Sequence, residues 1–256
     1  LNWKILNKWF IYLMVRSSLG RVVTIIQARM GSSRFPGKMV EKLNNYPLME
    51  WVIRRSQQAA NVDDTVLATS NRKIDDVLVE IANKCGCHVF RGSEDDVLGR
   101  YVSAAEEYKA DTIIRVCGDR PLVDPAIIDT AIELFKSDKK ISLAYNHISG
   151  DGQNWPRGFG VEVFETSLLK WMDEHLDKQR YREHVTPYIW ENKNFYFVTP
   201  VKCPFEMDLG VPDVKLDVDT KSDLLRLRRV CLDLDIDMDA KYFIKNFKES
   251  GEPLIF

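Results

Sequence analysis

The segment Gln27-Ala28-Arg29-Met30-Gly31-Ser32-Ser33-Arg34-Phe35-Pro36-Gly37-Lys38 carries three cations, two glycines and two serines, with no acidic residue among them. Gly31 and Gly37 permit close backbone approach, so amide N–H groups can face an anion. Arg29, Arg34 and Lys38 can add charge-assisted hydrogen bonds, and Ser32 and Ser33 supply hydroxyls beside them. Together these residue types suit phosphate oxygens. The spacing is neither a Walker A loop nor a Gly-x-Gly-x-x-Gly turn. The plain alternative is a solvated basic loop.

Two further stretches offer carboxylates. Cys117-Gly118-Asp119-Arg120-Pro121 follows an apolar run, so Asp119 can reach a metal or a ligand hydroxyl, or can simply turn the chain. In Val214-Lys215-Leu216-Asp217-Val218-Asp219-Thr220, alternation puts the apolar residues on one face and Lys215, Asp217 and Asp219 on the other. Asp219 or Thr220 can cap the next helix. The sharper reading is a cation: Mg²⁺ takes one or two carboxylates plus phosphate oxygens and water, and Asp119 with Asp219 would supply that pair. Asp96 and Arg100, in Ser93–Tyr101, read either as a helix-surface pair or as a nucleoside contact. Arg157, Glu162, Glu183 and His184 are polar groups that suit an acceptor or ordinary surface ion pairs.

These residues need a scaffold. Short β-branched runs at Val22–Gln27, Thr65–Thr69, His88–Phe90 and Thr112–Val116 alternate with helical patterns at Pro47–Ala60, Ile74–Lys84, from a capping box at Ser93–Asp96 to Tyr108, and from Asp124-Pro125 to Phe135. Such alternation predicts a mostly parallel central sheet with helices on both faces, an α/β fold. The basic loop then falls at the carboxyl end of the first strand, where ligands bind in open α/β sheets. After Lys140 the predicted elements are strands at Ile141–Tyr145, Gly160–Phe164, Phe195–Val201 and Val214–Val218. Helices are expected at Thr166–His175, Arg180–Trp190, Lys221–Asp235 and Ala240–Lys248.

The 256 residues hold 36 Lys+Arg against 38 Asp+Glu, a net charge of −2, and are 45% hydrophobic. That balance speaks against a nucleic-acid coat. Five cysteines without metal-finger spacing read as reduced thiols of a cytoplasmic protein. Trp9–Val15 is apolar but far short of a membrane span of ~20 residues. Residues 1–20 are read as an N-terminal extension and residues 21–256 as a single domain.

The blocks IIQARMGSSRFPGK, FRGSEDDVLGRY, VCGDRPLVDP, PRGFGVEVF, YREHVTPYIW and LDVDT, taken in order, resemble the cytidylyltransferase family that includes CMP-ketodeoxyoctonate synthetase and acylneuraminate cytidylyltransferase, and within it the spore-coat polysaccharide biosynthesis protein F-like branch. The resemblance runs over roughly residues 22–230. It implies a nucleotide-diphosphosugar transferase fold of Rossmann-like type, with CTP as donor, Mg²⁺ as cofactor and an acidic sugar as acceptor. By resemblance, Arg29 and Lys38 are the triphosphate-binding cations and Asp119 and Asp219 hold the metal; with Arg34, read from the loop itself, Arg29, Lys38 and Asp119 make the expected catalytic set. Gln27, Ala28, Arg29, Gly31, Ser32, Ser33, Lys38, Thr69, Asp96, Arg100 and Gly118 belong to the nucleotide site. Arg157, Glu162, Glu183 and His184 face the sugar. Gly160 stands where relatives often carry Asp, and Arg120 adds a cation that favours an anionic acceptor or pairs with Asp124.

The expected reaction is cytidylyl transfer from CTP to a sugar acid, releasing pyrophosphate, for surface polysaccharide or glycan synthesis. The alternatives are a sugar nucleotidyltransferase using UTP or dTTP, and a nucleotide-binding regulatory domain without turnover. No nucleic acid and no membrane span is expected; a homodimer is left open.

Overall fold

The structure, a computed structural model, describes residues 19–147, 154–210 and 214–253. The apolar run Trp9–Val15 and residues 148–153 of the loop between the strands that end at Tyr145 and begin at Val161 lie outside the described residues.

A seven-stranded sheet carries the molecule. In chain order its strands are β1 (Val22–Gln27), β4 (Asp64–Ser70), β5 (His88–Gly92), β6 (Thr112–Cys117), β7 (Ile141–Tyr145), β8 (Val161–Glu165) and β9 (Phe197–Pro200), arranged in space β5-β4-β1-β6-β8-β7-β9. β2 (Lys42–Leu43) and β3 (Tyr46–Pro47) form a separate antiparallel pair. The ladders β4–β5, β1–β4, β1–β6 and β7–β9 are parallel; β8 runs antiparallel to both β6 and β7. The chain leaves β1 for β4 on one side and returns to β6 on the other. A crevice therefore opens at the carboxyl ends of β1 and β6.

Alternation along the strands feeds two cores. Val22 and Ile26 point with Ile114 and Val116 to one layer, against α1 (Leu48–Gln57), α2 (Asp76–Lys84), α4 (Pro125–Ser137), α8 (Lys221–Val230) and α9 (Ala240–Glu249). Val23 and Ile25 point with Ile113 to the other, against α3 (Val97–Glu107), α5 (Thr166–His175), α6 (Gln179–His184) and α7 (Pro187–Glu191). This is the expected α/β fold with helices on both faces.

Several local expectations are corrected. Ser93 opens no capping box: Asp96 is the N-cap of α3 through Gly99 N–H, and Ser93 Oγ instead accepts from Asp96 N–H. The stretch expected as one helix over Arg180–Trp190 is two, broken where Val185 takes φ 68° and Pro187 starts the second. Val214–Val218 is not a strand. It has one isolated bridge, Arg157 to Lys215, because its backbone is shared between two neighbours: Arg157 N–H donates to Val214 O, Leu216 N–H to Arg157 O and Val218 N–H to Asp119 O. Val214, Leu216 and Val218 are nonetheless buried on one side, as alternation requires. Arg120 pairs not with Asp124 but with the carbonyl of Gly160, at 2.6 Å; Asp124 is taken by the fully buried Arg55 at 3.1 Å.

Candidate active site

The loop after β1 is folded onto the sheet by its own backbone and by a buried carboxylate. Gly37, at φ 76°, donates to Met30 O at 3.2 Å and closes the loop; Lys38 then enters a short 3₁₀ turn at Lys38–Val40. Asp75 is 1% exposed and receives Met30 N–H at 2.7 Å on one oxygen and the Thr69 hydroxyl at 3.2 Å on the other. Thr69 thus supports the loop from below. Gly118 is needed at the mouth of β6: a Cβ there would sit 2.9 Å from Ala28 Cβ and 3.2 Å from Gln27 O.

At the centre, Lys38 is 6% exposed and reaches across to the far segment. Its Nζ donates to Val218 O at 2.6 Å and lies 3.4 Å from Asp219 Oδ1 and 3.7 Å from Asp119 Oδ2. Arg34 Nη2 stands 2.8 Å from Asp219 Oδ1, and Lys215 Nζ 3.6 Å from Asp219 Oδ2. Asp219 is therefore ringed by three cations. Its position is fixed by the start of α8, where Thr220 and Asp223 form a reciprocal capping box. Asp223 accepts the backbone N–H groups of Asp219 and Thr220 and pairs with Lys215 at 2.6 Å. Burial pushes its carboxyl up, but these partners outweigh that and lower it to about 2.

A cavity of about 440 Å³ opens over this cluster. It gathers Gln27, Ala28, Arg29, Gly31, Ser32, Ser33, Arg34, Lys38, Arg100, Gly118, Asp119, Asp219, Glu183 and His184, all of them anticipated from sequence. Four anticipated residues do not line it. Thr69 lies beneath the loop; Asp96 caps α3 and pairs with Arg182. Arg157 pairs with Asp217 at 2.8 Å, and Glu162, 1% exposed, lies in a buried network. Gly158, at φ +111°, lets that segment press on Leu216: a Cβ there would meet Leu216 C at 2.6 Å.

Sequence reasoning missed Arg115, whose side chain enters the cavity from β6, and Asp75, Lys215 and Asp223. The signal for Arg115 was available: a lone arginine in the apolar run Thr-Ile-Ile-Arg-Val. Asp75 carried none, since one acidic residue at the start of a helix is commonplace.

The pair Asp119 and Asp219 fits a divalent cation. Both carboxylates converge on one position now held by an ammonium group, and they are hard oxygen donors. Among the described residues no cluster of three His, Cys, Asp or Glu side chains completes a protein cage.

A sheet of this order, a cationic glycine-bearing loop at its switch point and paired carboxylates make an α/β crevice suited to an anionic ligand. Comparison with known proteins makes the class specific. The family model described as cytidylyltransferase matches residues 23–249. The spore coat polysaccharide biosynthesis protein SpsF of Bacillus subtilis is 37% identical over 208 residues, covering 79% of this chain and 82% of that one. A solved cytidylyltransferase of Leptospira borgpetersenii superposes with a TM-score of 0.82 at 30% identity, covering 92% of this chain and 99% of the other. The 3-deoxy-manno-octulosonate cytidylyltransferase of Trichlorobacter lovleyi is 39% identical over 125 residues, about half of each chain. A Mycobacterium tuberculosis protein solved in complex with manganese shares the fold at 16% identity and a TM-score of 0.55, covering 81% of this chain and 97% of that one. The chain belongs to the cytidylyltransferase family and is a CTP-dependent nucleotidyltransferase. No helix among the described residues is long and apolar enough to cross a membrane.

Proposed function

We propose that the chain transfers the cytidylyl group of CTP to a hydroxyl of a sugar acid, giving a CMP-linked sugar and pyrophosphate for surface polysaccharide synthesis. The observation that carries this reading is the convergence of Asp119 and Asp219 on Lys38 beside the Arg29–Arg34 loop. Two of the similar proteins support it by name: the Bacillus subtilis one is a spore coat polysaccharide biosynthesis protein, and the Trichlorobacter lovleyi one a 3-deoxy-manno-octulosonate cytidylyltransferase.

The acceptor oxygen attacks the α-phosphorus, and the bond to the pyrophosphate oxygen breaks. Arg29, Arg34 and Lys38 neutralise the triphosphate and the charge that grows on the leaving pyrophosphate. Arg34 is suited to move, since its side chain is 65% exposed and only its tip is held, by Asp219. Glu183 and His184 also line the cavity and would face the acceptor. Asp119 and Asp219 would hold Mg²⁺, which when bound polarises phosphate oxygens and lowers the pKa of a hydroxyl. The roles of the chain's own side chains are positioning and charge neutralisation, and no covalent nucleophile is required.

Incubation with CTP, Mg²⁺ and a panel of sugar acids, read by mass spectrometry, tests the reading. A CMP-linked product from a sugar acid is expected. Products only from neutral sugars, or only with UTP or dTTP, would overturn it.

A further inference from the structure

Arg115 enters the cavity as a cation, yet its charge is already spent. Its Nη1 lies 2.6 Å from Glu162 Oε2; the Glu162 side chain is buried and that of Arg115 largely so. Glu162 also accepts from His147 Nε2 at 2.9 Å, from the Thr186 hydroxyl at 3.1 Å and from Trp190 Nε1 at 3.3 Å. Burial would push the Glu162 carboxyl up, but Arg115 and His147 outweigh it and hold Glu162 ionised. The pair is neutral as a unit, so this wall of the cavity has no charge to offer a phosphate.

What the pair does instead is grip Gln27. Arg115 Nη2 and Nε donate to Gln27 Oε1 at 3.1 and 3.3 Å. With that oxygen pinned on a residue that lines the cavity, the Nε2–H₂ end of the amide is left without an acceptor among the described residues. An amide held this way can donate but cannot accept.

We propose that Gln27 is a specificity-determining donor, oriented by the positioning residues Arg115 and Glu162, and that it reads a neutral hydrogen-bond acceptor of a substrate rather than a phosphate. This rests on the reading of the cavity as the site for CTP and its acceptor. The shared chemistry is an uncharged oxygen or ring nitrogen, presented either by the base or by the sugar.

The test is a double-mutant cycle with Gln27→Ala, Arg115→Lys and the double variant. Arg115→Lys keeps the ion pair with Glu162, so it avoids a buried unpaired carboxylate, but an ammonium group cannot reproduce the forked grip on Gln27. Calorimetric titration with CTP and Mg²⁺, without acceptor, reads the base. Pyrophosphate release at saturating CTP, with the sugar acid varied, reads the sugar. Each single variant is expected to weaken one of these, by Kd or by KM, about ten-fold with kcat little changed. The double variant is expected to be no worse than Gln27→Ala, because Arg115 acts through Gln27. Multiplicative losses, a fall in kcat with Kd and KM unchanged, or no change in either arm would overturn the proposal. A wild-type chain that binds but does not turn over CTP would remove the cytidylyl-transfer reading alone. The calorimetric cycle, run with CTP and Mg²⁺ and then with the sugar acid titrated into the nucleotide complex, would still decide on Gln27.

Discussion

Asp119 and Asp219 come from distant parts of the chain and meet at one atom, Lys38 Nζ, at 3.7 and 3.4 Å. The carbonyl of Asp119 also accepts the N–H of Val218, at 2.9 Å, so the backbone beside the second carboxylate is tied to that of the first. Lys38 is the charge that allows two carboxylates to stand close, and under the proposed function it is one of the cations that meet the triphosphate.

Lys38→Met removes that charge and leaves two carboxylates facing each other. Pyrophosphate release from CTP is expected to fall by ~10²–10³, the usual cost of one group that stabilises developing charge. Stopped or steady-state pyrophosphate assays check this. Arg34→Ala is expected to act more mildly and mainly on KM for CTP, since that side chain is largely exposed.

Thr220→Ala removes one half of the capping box that starts α8. The expected loss of stability is ~1 kcal/mol by denaturant unfolding. Activity is expected to fall further than stability, because Asp223, the other half of the box, also receives the N–H of Asp219. Comparing kcat with the fraction folded separates the two effects.

Gly118→Ala places a Cβ 2.9 Å from Ala28 Cβ, between β1 and β6 at the mouth of the crevice. The strand ends must part by a few tenths of an ångström. The expected outcome is a raised KM for CTP with far-ultraviolet circular dichroism unchanged.

The Glu162 network sets a sign for acid sensitivity. Its carboxyl is held below the ordinary 4.5, and burial lowers the His147 imidazole below 6.5 despite the attraction of Glu162. In both cases the unfolded chain binds the proton more readily. Stability is therefore present at neutral pH and is lost as pH falls, first below 6.5 through His147 and then below 4.5 through Glu162. Glu162→Gln is expected to flatten the second part of that limb. It should also lower Tm at pH 7, by the equivalent of ~3–5 kcal/mol for an arginine left unpaired. Thermal melts from pH 3 to 8 check both.

Much of this was legible before any coordinates. The run Val22–Gln27 placed its basic sequel at the crevice, because β1 is a buried parallel strand and its carboxyl end opens there. The alternation in Val214–Val218 placed Asp217 and Asp219 on one side even though no ladder forms, since the buried valines and leucine alone impose that period. What stayed hidden was pairing. Nothing local says that Arg157 spends itself on Asp217, that Asp96 caps a helix while holding Arg182, or that Glu162 is turned inward to Arg115. These are contacts between residues far apart in the chain, set by which helices cover which face of the sheet. The break at Val185 was hidden for a related reason: a β-branched residue with φ 68° is held there by tertiary packing against local preference.

The most direct test is the affinity of Mn²⁺ in the presence of CTP, followed by electron paramagnetic resonance, for the wild type and for Asp119→Asn and Asp219→Asn. Each variant is expected to bind the ion at least ten-fold more weakly while remaining folded, with turnover lost in parallel. Unchanged Mn²⁺ affinity in both variants would contradict the convergence of the two aspartates on one cation.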